Sequence, residues 1–317
     1  MKLGFIGLGR MGKNMVLHLL DGGVQVVAWN RSTAPKEEVA KAGALVATSI
    51  DDLVSKLEAP RIIWLMVTAG EVVDEILGQL KNQLSSGDLI IDGGNSFYKD
   101  TIRHGEELAK AGINFMDVGT SGGIEGARNG ACLMIGGRDK DFQRAGDLFE
   151  KMAAPNGFGL LGPLGAGHFA KMVHNGIEYG MEEAIAEGAT LLKNSSFNYN
   201  LAEVFKIYTA RSIIESRLVA WTHNELEKDP DLGDISSAIG SAGTAMRLQG
   251  EGDWTLEFAR EKNIKIPAIE EAILVRDGSK DDFELSPEGY RNKVVNAMRR
   301  QFGGHPVEKE AKDEGLK

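Results

Sequence analysis

The segment FAKMVHNGIEYGMEEA places Lys171, His174, Asn175, Glu178 and Glu182 at offsets of 0, 3, 4, 7 and 11. At about 100° per residue these fall on one face of a helix. Lysine, histidine and glutamate are side chains that take up and return protons in catalysis. Phe169, Met172, Val173 and Ile177 lie between them, as in a buried helix, and a polar stripe on such a helix points to a lined cavity. A solvated face with an ordinary Lys/Glu pair would show the same spacing, so neighbouring motifs must decide.

Two glycine-bearing strings supply such neighbours. IIDGGNSFYKDT places Asp92, Asn95 and Ser96 beyond the end of an apolar strand, in the crevice where open α/β sheets bind ligands. DVGTSGGIEGARNGA follows another strand, and its Ser121, Gly122 and Gly123 can present a hydroxyl and backbone N–H groups to a carboxylate. Either string alone could be a turn; together they gather donors around one crevice. Further on, MRRQFGGH offers Arg299 and His305, cations that an anionic ligand would need in a chain of formal net charge -10. A solvated basic helix end is the plainer reading of that pair.

The run KLGFIGLGRMGKNMVLHLLDGG reads as a strand, a G-x-G-x-x-G turn at Gly7, Gly9 and Gly12, and an apolar-periodic helix. In a dinucleotide site the first glycine permits the tight turn, the second lets the backbone approach a pyrophosphate, and the third lets helix and strand pack closely. The helix N-terminus then receives the pyrophosphate on its N–H groups and positive dipole end. Leu8, Arg10 and Met11 share this turn. Asn30 ends the second strand where an NAD-specific unit usually offers Asp or Glu to the ribose. Arg31, Ser32 and Thr33 follow, and a guanidinium with two hydroxyls suits a 2′-phosphate, which favours NADP over NAD. If Arg31 only stacks on adenine, either cofactor binds.

The elements that must position these groups follow from the apolar pattern. KLGFIG, VQVVAWN, RIIWLMV, LIIDGG, INFMDVG and ACLMIGG are candidate strands, with amphipathic segments such as MVLHLLDGG and EVVDEILGQLKNQL between some of them. Such alternation predicts an α/β fold: an N-terminal Rossmann-type, doubly wound, mostly parallel sheet of six or more strands. After GFGLLGPLGAGH the strand signals stop. The expected division is a dinucleotide-binding domain over 1–163 and an all-α domain over 164–317, opening on a long helix near 167–194 and closing on a short charged tail. At 317 residues two domains are the default.

Composition narrows the function classes. With 42% hydrophobic and 26% charged residues the chain is ordinary globular protein, and its acidic balance argues against nucleic acid as a partner. One cysteine, Cys132, rules out an intrachain disulfide or a cysteine zinc cluster, and it is expected to be a small buried strand residue. MKLGFIGLGRMG enters a strand and turn at once, unlike a secretory signal, and no run of about 20 apolar residues suggests a membrane span. A cytoplasmic location is the expectation.

Taken as strings, GLGRMG, WNRS, IIDGGNS, TSGGIEGARNGACLMIGG and GAGHFAKMVHNGIEYG resemble the decarboxylating 6-phosphogluconate dehydrogenases over nearly the whole chain. The length is similar to the family's short form, which lacks the duplicated helical half of the longer enzymes. The resemblance implies oxidation of 6-phospho-D-gluconate at C3, hydride transfer to NADP or NAD, and loss of CO2 without a metal. It assigns Lys171 as the base that takes the C3 hydroxyl proton and Glu178 as the acid that protonates the enediol. Asn95, Ser121, Gly122, Gly123, His174, Asn175 and Tyr179 match substrate-binding positions, although His174 also suits a hydrogen-bonded core. Val67, which ends the third candidate strand, and Asn95 join the glycine turn and Asn30, Arg31 and Ser32 as cofactor positions, while Thr68, in the loop that follows, keeps only a backbone role. Arg299 and His305 match a pair that a neighbouring subunit supplies to the substrate phosphate, which implies a homodimer or homotetramer. Where the longer enzymes carry arginine in G-C-I-I-R, this chain reads RSIIESRL; Glu215 takes that place, and Arg217 is the candidate replacement.

Two other functions stay open at this level. A non-decarboxylating β-hydroxyacid dehydrogenase, such as one acting on 3-hydroxyisobutyrate, would use the same lysine but would need neither Glu178 nor the Arg299 and His305 pair. A catalytically silent dinucleotide-binding sensor would be expected to have lost Lys171, which is present.

Overall fold

A computed structural model describes residues 2–240, 250–303 and 307. The chain forms two compact units, Met1–His174 and Asn175–Lys317. The first runs β1 (Lys2–Ile6), α1 (Arg10–Asp21), β2 (Gln25–Trp29), α2 (Ala34–Lys41), β3 (Leu45–Val46), α3 (Ile50–Ser55), β4 (Ile62–Leu65), α4 (Glu71–Lys81), β5 (Leu89–Asp92) and α5 (Tyr98–Ala109). It continues through β6 (Asn114–Ser121), α6 (Gly123–Asn129), β7 (Ala131–Gly136), α7 (Asp139–Arg144), α8 (Gly146–Met152) and β8 (Ala153–Gly162). Helix α9 (Ala166–Lys193) begins in this unit and ends in the next.

The eight strands form one sheet in the order β3-β2-β1-β4-β5-β6-β7-β8, parallel throughout except between β6 and β7. Their continuous apolar runs reflect burial on both faces. Alternate residues divide the core: Leu3, Phe5, Trp64 and Ile91 join Met15, Val16, Leu19 and Phe149 on one face. Ile6, Ile63, Leu65 and Ile90 join Leu53, Val73, Ile76 and Leu77 on the other. Trp64 is central to the first layer, stacked on Phe5 and edge-on to Phe149.

All six expected strands are present, and two more extend the sheet. β3 is two residues long, too short to leave an apolar pattern. β8 is absent from the expected strands because its Pro, Asn and glycines break alternation, and in the structure it is mostly half-exposed. It nonetheless pairs in parallel with β7, through a ladder with two register shifts. It ends at Gly162, within the stretch after which the strand signals stop. Cys132 corrects another expectation: it sits on β7 but is exposed, because Ala131 and Leu133 on either side take the buried face.

The second unit continues α9 and adds α10 (Leu201–Tyr208), α11 (Arg217–Lys228), α12 (Glu251–Glu261), α13 (Pro267–Gly278) and α14 (Pro287–Gly303). Among its described residues there is no strand. Ala186, Ala189, Phe205, Val219, Leu226, Val294, Val295 and Met298 form its core. Local signals start the helices where side chains can cap them: Asn200 accepts from Glu203 N at 3.1 Å and Ser216 from Val219 N at 3.2 Å. The charged tail from 308 and His305 lie outside the described residues.

Candidate active site

At the glycine turn, Gly7 has φ +101°, and a Cβ there would strike the Met66 carbonyl; a Cβ on Gly12 would strike the Gly7 carbonyl. Gly9 differs, since a Cβ would meet nothing within 4 Å. Gly7 and Gly12 are thus demanded by the fold itself, whereas the open face of Gly9 is room for a ligand's close approach. Gly9 is also the N-cap of α1, and neither a capping side chain nor a first-turn acid competes with an anion there. These residues fit a dinucleotide pyrophosphate.

Asn30 ties two loops together. Its Oδ1 accepts from Leu8 N at 3.0 Å, and its Nδ2 donates to Ser32 Oγ at 2.8 Å. Arg31 is exposed between these partners, Met11 and Val67 are half-buried, and Arg10 and Thr68 are exposed.

Past β5, the fully buried Asp92 accepts from Gly94 N at 3.1 Å and from Ser96 Oγ at 2.6 Å. Thr120 Oγ1 donates to Gly93 O at 3.0 Å. Asp92 and Ser96 therefore clip the loop instead of facing a ligand, and exposed Asn95 at its bend is the member available to one. At the end of β6, Ser121 Oγ lies 3.2 Å from His174 Nε2, so two expected substrate-binding side chains meet. Gly122, the N-cap of α6, and Gly123 turn the chain with φ +121° and +62°.

Lys171 is buried, and what holds it is the start of α9. The buried Asp117 of β6 accepts from Gly165 N and His168 N, each at 2.7 Å, capping the helix with a carboxylate. His168 Nδ1 lies 2.7 Å from Thr101 Oγ1 of α5. Gly119 lets β6 approach so closely that a Cβ on it would collide with Lys171 Cβ. Gly119 and Ser121 share a face of β6, so the strand that seats the lysine also aims the hydroxyl at His174.

In the second unit, α9 carries Asn175, which is buried, then Glu178, Tyr179 and Glu182. Arg276 of α13 stacks on the Tyr179 ring, 3.6 Å from guanidinium carbon to ring centroid, and ion-pairs with Glu182. Arg299 of α14 lies within electrostatic reach of Glu178, Tyr179, Glu182 and Arg276 and donates to Asn296 Oδ1 at 2.8 Å. Burial sets the protonation here. It raises the Tyr179 hydroxyl, lowers Arg299, and pushes the fully buried Glu182 carboxyl up to about 7 against the opposing pull of Arg276.

Arg276 is the residue that sequence reasoning missed. The string EEAILVRDGS reads as any amphipathic helix, and only the buried Glu182 opposite would have called for a cation. Arg217, the expected replacement arginine, is exposed at the first position of α11 and stacks on Trp221 at 4.8 Å. Glu215 is exposed in the turn before it. Within the single chain, Arg299 lies close to its own Tyr179. Among the described residues no group of three or more His, Cys, Asp or Glu could hold a metal ion, and no helix is long and apolar enough to cross a membrane.

A glycine turn on a doubly wound sheet, with a buried lysine at the start of the long helix that leads into a helical unit, is the arrangement of a nicotinamide-dinucleotide oxidoreductase, and the sequence relatives bear out that class. Residues 2–176 match the NAD binding domain of 6-phosphogluconate dehydrogenase, and residues 167–314 match the C-terminal domain of 6-phosphogluconate dehydrogenase. The chain belongs to the 6-phosphogluconate dehydrogenase family. A Haloferax volcanii protein named as an NAD(+)-dependent, decarboxylating 6-phosphogluconate dehydrogenase is 37% identical over 309 residues, covering 97% of this chain and 98% of that one. The Candida albicans decarboxylating enzyme is 40% identical over 288 residues, which span 86% of this chain but 55% of that longer protein. Among solved structures, Plasmodium falciparum 6-phosphogluconate dehydrogenase, described in apo form and with NADP+ or 6-phosphogluconate, aligns with a TM-score of 0.79 at 29% identity, covering 94% of this chain and 70% of that one. Mycobacterium tuberculosis 3-hydroxyisobutyrate dehydrogenase shares the fold, with a TM-score of 0.70 at 21% identity and coverage of 94% and 99%.

Proposed function

We propose that the chain catalyses oxidative decarboxylation of 6-phospho-D-gluconate to D-ribulose 5-phosphate and CO2, with NADP as the favoured hydride acceptor. The observation that carries this reading is Arg276 of α13 stacked on Tyr179 with Arg299 of α14 nearby, two cations for a phosphate gathered at the helix that bears Glu178. The bound nicotinamide supplies the hydride acceptor. Lys171, neutral at the start, takes the C3 hydroxyl proton as hydride leaves C3. Its ammonium then polarises the new ketone while the C1–C2 bond breaks and CO2 departs, the bond's electron pair forming the enediol. Glu178 delivers a proton to the carbon that becomes C1 of the product.

Ser121, the turn at Gly122 and Gly123, His174 and Asn95 are assigned to the sugar acid, together with Asn175 and Tyr179. Arg276 and Arg299 are assigned to its phosphate. The contact between Ser121 and His174 supports the first group. NADP is favoured because Asn30 offers the ribose no carboxylate and Arg31 is exposed beside it. A homodimer or homotetramer is part of the proposal. An apolar groove of about 520 Å³ lined by Leu191, Leu192, Phe197, Phe205 and Ile214 is a face that a second copy would cover.

One assay tests substrate and cofactor together: kcat/KM for 6-phosphogluconate, gluconate and 3-hydroxyisobutyrate, each with NADP and with NAD. Expected is a clear preference for 6-phosphogluconate with NADP. Faster turnover of an unphosphorylated acid overturns the substrate assignment, and a strong NAD preference overturns the cofactor.

A further inference from the structure

Glu182 has no part in the reaction above, yet it is the most deeply buried charge beside the phosphate cations. Its side chain has no solvent exposure. Oε2 pairs with Arg276, and among the described residues Oε1 has no hydrogen-bond partner. A buried carboxylate satisfied on one oxygen only is costly to keep ionised. The charged groups around it are Glu178 and Glu183 on its own helix, Arg276 on α13 and Arg299 on α14, with Glu251 of α12 facing the adjoining Tyr179. Glu183 is engaged by Arg291 at 3.1 Å, which leaves Arg276 as the cation paired with Glu182.

We infer that Glu182 is a proton-coupled counter-ion for Arg276: it pairs with that guanidinium, and takes up a proton when a phosphate dianion claims it. The inference rests on the assignment of Arg276 and Arg299 to the substrate phosphate. Charge balance gives the direction. Two guanidinium groups against ionised Glu182 leave one positive charge for a dianion, and protonating Glu182 leaves two. A dianion seated on Arg276 also removes the partner that kept Glu182 ionised, so phosphate and proton bind together. By linkage, affinity for the phosphorylated substrate is full below the free carboxyl's titration near neutrality and falls as pH rises above it. The second phosphate ionisation, near pH 6, is complete before that window opens.

The experiment is calorimetric binding of 6-phosphogluconate and of gluconate between pH 7 and 8.5, in buffers of different ionisation enthalpy. The proteins are the wild-type chain, Glu182→Gln, Glu182→Met and Arg276→Gln. The wild type is expected to take up a proton with 6-phosphogluconate but not with gluconate, and to lose affinity by up to about tenfold per pH unit. In either Glu182 variant that uptake and pH dependence vanish, while 6-phosphogluconate stays favoured over gluconate. Methionine keeps the volume without charge, so one of the two variants suffices should the other fail to fold. No proton uptake by the wild type, or the same uptake in a folded Glu182 variant, overturns the inference. If Arg276→Gln binds 6-phosphogluconate as well as the wild type does, the phosphate assignment itself fails.

Discussion

The start and the middle of α9 are held by different physics. Its first turns, in the sheet unit, are seated by a carboxylate cap on backbone N–H groups, a side-chain hydrogen bond and a glycine contact: Asp117 to Gly165 and His168, Thr101 to His168, and Gly119 against Lys171. Its middle, in the helical unit, is surrounded by buried charge: Glu182 on Arg276, Arg276 on Tyr179, and Arg299 close by. Steric contacts and short backbone bonds fix a position with little freedom, which suits a lysine that must meet one hydroxyl. An ion cluster can exchange partners, which suits a site that must trade an internal anion for a ligand's.

The contrast makes graded predictions. Lys171→Ala should abolish turnover while leaving dinucleotide affinity nearly unchanged, since the glycine turn is untouched; fluorescence titration with NADPH beside a steady-state assay measures both. Measurable turnover near the wild-type rate would remove the lysine from its role. Glu178→Ala should lower overall decarboxylation by about 10²–10⁴, the usual range for a general acid. Solvent-deuterium incorporation at C1 of the product reports the same step, and a variant that decarboxylates at the normal rate would reassign the proton to another donor.

Asp117→Ala sharpens the comparison at the sheet end. Two buried N–H groups lose their acceptor, at roughly 1–3 kcal/mol each, so chemical denaturation should show that loss. In the protein that remains folded, kcat should fall more than KM rises, with partial rescue by Asp117→Asn, which keeps one acceptor. A destabilised variant with unchanged kcat would mean that the cap stabilises the fold without positioning the lysine.

Much of this arrangement was legible in the residues because its signals are local. The glycine turn, six strands and the long helix announce themselves by periodicity and spacing within about thirty residues. What escaped depends on partners far away in the chain. Arg276 acquires meaning only through Glu182, 94 residues earlier. Asp92 and Ser96 look like ligand-binding groups until the bond that Ser96 donates to Asp92 is seen, and β8 is a strand only because β7 offers it an edge. Cys132 looked buried by composition, but strand alternation turned it outward.

Asn30 carries a consequence for redesign. Because one amide both receives the Leu8 N–H and donates to Ser32, it acts as a rivet between the turn that would meet the pyrophosphate and the loop that would meet the adenosine ribose. Replacing it with aspartate, the obvious way to install NAD selectivity, would keep the acceptor, and the Ser32 hydroxyl could reverse to donate to the carboxylate, but the Ser32 carbonyl, 3.3 Å from Nδ2, would lose its donor and face a second acceptor. The loop bearing Arg31 would then loosen at the same time as its charge environment changed. Cofactor preference in this chain is therefore better retuned from Arg31, whose side chain projects from the rivet without being part of it.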